Sequence, residues 1–153
     1  MKASRKTKII TCLIISLIAF KFSGYGSTTN KTEKTYEGTY EVIVVKIYDG
    51  DTITVNIPAF PDIIGHNINI RLNGIDTPEL TDKRLEMKQK ALLARQFVDD
   101  TIRKSRKVEI TDLRRDKYFR IDAQVIIDGV NLNQLLLKNG YAKPYDGGTK
   151  SPW

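Results

Sequence analysis

Asn67-Ile68-Asn69-Ile70-Arg71-Leu72 alternates strictly between polar and apolar residues, and Asn73-Gly74-Ile75-Asp76-Thr77-Pro78-Glu79 follows at once. A period of two is that of a half-buried strand. It sends Ile68, Ile70 and Leu72 to an apolar side and Arg71 to the opposite, polar side. Pro78 lacks an N–H and disfavours helical geometry at Thr77. Asp76 and Glu79 are therefore expected at a strand end and in its loop, where a rigid sheet often displays site residues. An Asp-Thr-Pro turn is commonplace by itself, so its weight comes from what surrounds it.

Upstream, Tyr40–Ile47 is rich in β-branched residues, Asp49-Gly50 is a turn signal, and Asp51–Ile57 alternates again. These predict a hairpin. Pro58-Ala59-Phe60-Pro61-Asp62 breaks it, and the third strand covers about 67–75. Downstream, Met87, Ala91, Ala94, Val98 and Ile102 recur at helical spacing, with Leu93 and Phe97 widening the stripe and Leu85 and Leu92 suggesting a broad buried arc. Thr81 or Asp82 is expected to cap this helix. Val108, Ile110 and Leu113 mark a fourth strand and Ile121–Ile127 a fifth. Asn131 or Asn133 caps a short leucine-rich helix that ends at Asn139-Gly140. Three strands, a long helix, two strands and a short helix predict a mainly β, α+β fold: a five-stranded Greek-key barrel of the OB type. Such barrels often bind oligonucleotides, but the fold does not establish a function.

The chain has 153 residues and a formal net charge of +7. Five of its Lys and Arg residues, and no acid, fall within residues 1–26. The remainder carries 20 basic against 18 acidic residues, so a nucleic-acid partner must be argued from local clusters. Residues 1–26 have the form of a signal peptide: Lys2, Arg5, Lys6 and Lys8, then the apolar run Ile9–Phe20, then small residues around Ser23–Ser27. The expected location is secreted or periplasmic, with an uncleaved membrane anchor as the alternative. Cys12, the single cysteine, lies inside this leader, so cleavage leaves no thiol. Residues 27–39 are expected to be a flexible leader, 40–145 the folded domain and 146–153 an irregular tail.

Three clusters share one chemistry. The first turn offers Asp49 and Asp51; the central stretch offers Arg71, Asp76, Thr77 and Glu79; a cationic connection offers Lys117, Tyr118 and Arg120. Two aspartates and a carbonyl are hard oxygen donors, suited to Ca²⁺ or Mg²⁺. The lone His66 and the lone Cys12 exclude a His/Cys zinc site, and no phosphate-cradling Gly-x-x-x-x-Gly-Lys-Ser/Thr loop occurs.

In order and spacing, Ile47-Tyr48-Asp49-Gly50-Asp51-Thr52, Arg71–Glu79, Asp116-Lys117-Tyr118-Phe119-Arg120 and Asn133–Ala142 resemble the staphylococcal nuclease (thermonuclease) family. The resemblance covers roughly residues 40–145. It implies a Ca²⁺-dependent phosphodiesterase that cleaves DNA and RNA, with a preference for single-stranded or denatured substrate, to products with 3′-phosphate ends, acting as a monomer. It implies that Asp51, Asp76 and the Thr77 carbonyl bind metal, with Asp49 nearby, and that Glu79 orients or deprotonates the attacking water. Arg71 and Arg120 would grip the scissile phosphate, and Lys117 and Tyr118 a flanking one. Phe119 stands where the family has glycine, as a source of strain or as a stacking surface for a base. Either Tyr141 or Tyr145 is expected near a base. A non-catalytic OB module that binds single strands is the alternative, as is an envelope-tethered interaction protein if the leader stays uncleaved.

Overall fold

Ile53, Val55, Ile70, Leu72, Ile110, Val125, Leu132 and Leu136 are fully buried and form the centre of one core. Six come from the alternating segments, as a sheet covered on one face requires, and Leu132 and Leu136 come from the short leucine-rich helix. The computed structural model describes residues 36–116 and 120–153, within one compact unit, Glu33–Trp153. The expected leader over 1–26, most of the segment 27–39, and Lys117, Tyr118 and Phe119 lie outside the described residues.

The strands are β1 (Tyr36–Glu41), β2 (Ile43–Ile47), β3 (Thr52–Asn56), β4 (Ile68–Leu72), β5 (Ile75–Asp76), β6 (Val108–Arg115), β7 (Ile121–Ile127), β8 (Val130–Asn131) and β9 (Lys143–Pro144). The helices are α1 (Asp62–Gly65), α2 (Leu85–Arg103) and α3 (Leu132–Lys138). The main sheet runs β1-β6-β7-β4-β3-β2, with β8 added to β7. Its pairs are antiparallel except β4 with β7. The two ends of this path, β1 and β2, are successive parts of one run separated by Val42, whose N–H donates to the Val108 carbonyl at 2.9 Å. The sheet thus returns on itself through the backbone. The five expected strands are present, the first split at Val42 and exchanging partners there.

The first strand starts at Tyr36, four residues before the expected boundary. Residues 36–39 have little apolar content to announce a strand, but the eight-residue β6 offers them backbone partners, pairing Tyr36 with Leu113 and Thr39 with Thr111. Along α2, Met87, Ala91, Ala94 and Val98 are buried as the spacing predicts, and Phe97 stacks on Tyr141 with centroids 4.8 Å apart. Leu85, Leu92 and Leu93 are exposed, so the buried stripe is narrower than expected. The helix comes closest at the first turn, where a Cβ on Gly50 would lie 2.8 Å from the Ala94 Cβ and 3.0 Å from the Thr77 side chain. Nor does Thr81 or Asp82 cap α2. The N-cap is Arg84, with no side-chain cap bond; Asp82 instead closes a local turn by accepting from the Arg84 N–H at 2.8 Å.

At α3 the two asparagines divide the work. Asn131 caps the helix, accepting from the Gln134 N–H at 3.0 Å. Asn133 is 1% exposed and acts as a bracket. Its Oδ1 accepts from the Val125 N–H at 3.1 Å, and its Nδ2 donates to the Asn73 carbonyl at 2.8 Å. That bracket joins α3 to β7 and to the turn between β4 and β5. Replacing Asn133 by leucine leaves a buried donor and acceptor without that partner, and each such group costs about 1–3 kcal/mol. Asn133→Leu is therefore expected to lower unfolding stability by about 2 kcal/mol or more in urea denaturation.

Candidate active site

The last rungs of the β3–β4 ladder place the site. Thr52 is in register with Arg71, and the Leu72 N–H donates to the Asp51 carbonyl at 2.8 Å. Asp51 thus sits at the mouth of the first turn beside the Arg71 side chain. Gly74 turns the chain with a positive φ of 79°, a conformation glycine adopts without penalty. β5 then brings Asp76 and Thr77 back under the same guanidinium.

Arg71 ties these pieces together. One of its terminal nitrogens donates to Asp51 Oδ2 at 2.7 Å. The other donates to the Ile75 carbonyl at 3.1 Å and lies 3.7 Å from Asp76 Oδ1. Asp51 also accepts from the Thr52 hydroxyl at 3.1 Å and the Thr77 N–H at 3.4 Å. Asp51 and Asp76 are each 4% exposed and Thr77 3%. Burial pushes the Asp51 carboxyl up to about 6, against the pull of Arg71 and with help from neighbouring Asp49. Burial works against the charge on Arg71 too, but Asp51, Asp76 and Asp122 outweigh it and hold its pKa above the usual value.

Asp51, Arg71, Thr77, Glu79 and Arg120 line one cleft of about 750 Å³, together with Asp49, Lys46, Arg95, Tyr145 and Lys150. Asp76 borders two adjoining recesses, one of which it shares with Thr77 and Glu79. Arg120 is braced by Asp116, donating from Nε to Oδ2 at 2.8 Å and from its backbone N–H to Oδ1 at 2.8 Å. Of the two tyrosines, Tyr145 reaches the cleft, its ring 5.7 Å from the Arg71 guanidinium carbon, whereas Tyr141 is spent on Phe97. A second cleft of about 740 Å³ lies between β2 and α2. Its carboxylate, Asp99, is paired with Arg103 at 2.8 Å, and none of the residues expected at the site lines it.

Among the described residues, no three His, Cys, Asp or Glu side chains close around one point. The oxygen donors present are the two buried aspartates and the neighbouring Thr77 backbone. This is a hard-oxygen set of the kind that a cation of the Ca²⁺ or Mg²⁺ type takes. A cation already stands there: the Lys150 ammonium is 2.8 Å from Asp76 Oδ1 and 2.8 Å from Glu79 Oε1. Those bonds raise its pKa in spite of partial burial. Trp153 Nε1 donates to Asp76 Oδ2 at 3.0 Å. The donor set therefore fits a hard cation.

Lys150 and Trp153 belong to the stretch expected to be an irregular tail. It has no regular structure beyond β9, but it is not idle. β9 pairs with β5, matching Lys143 to Asp76 and Pro144 to Ile75, and so delivers the following residues to the carboxylates. No periodicity or motif announces them.

Residues 69–151 match the family described as staphylococcal nuclease homologue. An endonuclease, YhcR, of Bacillus subtilis is 32% identical over 71% of this chain and 9% of its own length. A thermonuclease of Staphylococcus hyicus is 29% identical over 81% of this chain and 65% of its own. An uncharacterized protein of Methanocaldococcus jannaschii is 30% identical over 67% and 58%. The chain spans less than two thirds of the length of each of these relatives.

Arg71→Met removes the cation from a buried pair, a change that costs about 3 kcal/mol or more. The folded Asp51 carboxyl titrates near 6, above the 3.8 of an unperturbed group. Its charge thus weakens the fold above that pH, and the weakening fades as pH falls toward 4. Without Arg71 the carboxyl rises further. The loss in Arg71→Met, measured by urea unfolding in chelator, is therefore expected to be larger at pH 7.5 than at pH 5.

Proposed function

The chain belongs to the staphylococcal nuclease family, and on that premise we propose that it is an exported, Ca²⁺-dependent endonuclease that hydrolyses DNA and RNA to products with 3′-phosphate ends. The observation that carries this reading is the convergence of Asp51, Arg71, Glu79 and Arg120 on one cleft, with Asp76 held to Arg71 at its edge. In this reading Asp51, Asp76 and the Thr77 carbonyl hold the metal, which would supply neutralisation of the charge that builds on the scissile phosphate.

The chain's own residues account for the rest. Arg71 and Arg120 have planar forks that donate two parallel hydrogen bonds to one phosphate, which a lysine cannot do. Both are fixed in place by acids, Asp51 and Asp116, so they need little reorganisation when charge develops in the transition state. Glu79 takes a proton from water, whose oxygen forms the new bond to phosphorus as the P–O5′ bond breaks and the departing 5′-oxygen takes up a proton from solvent. Glu79 suits this role because its side chain is well exposed within the cleft, where water reaches it. Tyr145 offers a ring face for a base, which favours strands whose bases are unstacked. Lys117 and Tyr118 follow Asp116 directly in sequence and are assigned to a flanking phosphate.

Export rests on the sequence of residues 1–26. Among the described residues, no helix is long and apolar enough to cross a membrane. The protein is assigned as a monomer.

Purified protein is expected to degrade plasmid, denatured DNA and RNA in Ca²⁺, to stop in excess chelator, and to leave 3′-phosphates on end-group analysis. Full activity in chelator rejects the metal assignment. Binding of single strands without cleavage in any divalent cation favours a non-catalytic OB module instead. Glu79→Gln keeps the shape and hydrogen-bonding reach of the side chain but removes its basicity. It is expected to retain oligonucleotide affinity while single-turnover cleavage falls about 10²–10⁴-fold.

A further inference from the structure

We infer that Lys150 is an internal competitor for the metal: its ammonium occupies the charge position of the divalent cation in the resting protein and sets how much cation is needed to load the site. The inference rests on the nuclease reading above and adds to it the residue that governs loading.

Both oxygens of Asp76 are engaged by this one stretch, Oδ1 by Lys150 at 2.8 Å and Oδ2 by Trp153 Nε1 at 3.0 Å. A cation that takes Asp76 as a ligand must displace at least one of them, because an ammonium held on the same oxygen repels it. The same ammonium binds Glu79 Oε1 at 2.8 Å. The ligand and the candidate base are thus tied to one positive charge, and loading the site would release both together.

The arrangement is anchored from outside the site. Lys143 Nζ lies 4.5 Å from the Trp153 ring centroid and donates to the Pro152 carbonyl at 2.6 Å. A terminal nitrogen of Arg84 donates to the Trp153 carbonyl at 3.0 Å. Tyr145 donates through its hydroxyl to the Gly148 carbonyl at 3.0 Å, across a turn in which Gly147 has a φ of 90°. None of these contacts uses Lys150, so its side chain can swing out while the backbone stays docked. The Lys150 side chain is 43% exposed and reaches solvent without unfolding anything. The pair with Glu79 is exposed on both sides and is worth little, and the pair with buried Asp76 ends on an ammonium that solvent still reaches. Lys150 therefore acts as a weak competitor that raises the cation requirement, not as a block.

Calcium titration of the full chain, without nucleic acid, tests the inference by calorimetry and by the fluorescence of Trp153, the single tryptophan. Lys150→Met is expected to bind Ca²⁺ about tenfold more tightly, about 1.4 kcal/mol of competition removed. Lys150→Arg is expected to stay near wild-type affinity, and Trp153→Phe, which removes the N–H together with part of the ring and is read by calorimetry alone, to gain less than Lys150→Met. Adding Ca²⁺ is expected to change the Trp153 emission. Wild-type binding that is lost in Asp51→Asn but unchanged or weakened in Lys150→Met overturns the Lys150 inference alone. If Asp51→Asn binds Ca²⁺ as well as wild type, the metal assignment falls, and the inference falls with it.

Discussion

A single guanidinium holds this site together. Arg71 extends from β4 to Asp51 on the turn before β3, to the Ile75 carbonyl and toward Asp76 on β5. Two buried carboxylates set side by side repel each other, and burial raises the cost of charging either. The arginine between them lets both be carried inside a small domain. It also constrains the backbone, because its fixed fork matches three acceptors only when the β4–β5 turn folds back at Gly74.

The polar bracket at Asn133 serves the same turn from the other side. It ties the Asn73 carbonyl to β7 and α3, so the loop bearing Asp76, Thr77 and Glu79 is supported by the core. Gly50 contributes by what it lacks. With no Cβ, it lets α2 and Thr77 close onto the first turn. Rigidity from these contacts is what allows acidic and basic groups to be held in fixed positions around one cleft.

Much of this was legible in the chain itself. Strict alternation in 67–72 gave β4 and the outward direction of Arg71; the spacing of Met87, Ala91, Ala94 and Val98 gave the buried seam of α2; Ile121–Ile127 is a strand with the boundaries expected. Failures occurred where tertiary contact overrides local pattern. Tyr36–Thr39 is too polar to read as a strand, yet β6 supplies its hydrogen bonds. Leu85, Leu92 and Leu93 are apolar and read as core, yet they stand in solvent because nothing among the described residues packs over that side of the helix. Asp82 has the chemistry of a helix cap but is used by Arg84, to which it also pairs at 2.7 Å.

The sequence by itself determined the order of the five main strands and two longer helices, the inward faces of the alternating strands β3, β4 and β6, and the types of residue available for the site, because periodicity and turn chemistry are local properties. Only the tertiary structure decided which of those residues meet. The β5–β9 pairing joins segments about seventy residues apart, and no local pattern encodes such a pairing. Through it Tyr145 rather than Tyr141 faces the cleft, and Lys150 and Trp153 come to rest on Asp76. A side chain's place along the chain fixes its chemistry, but its neighbours depend on how distant backbones pair.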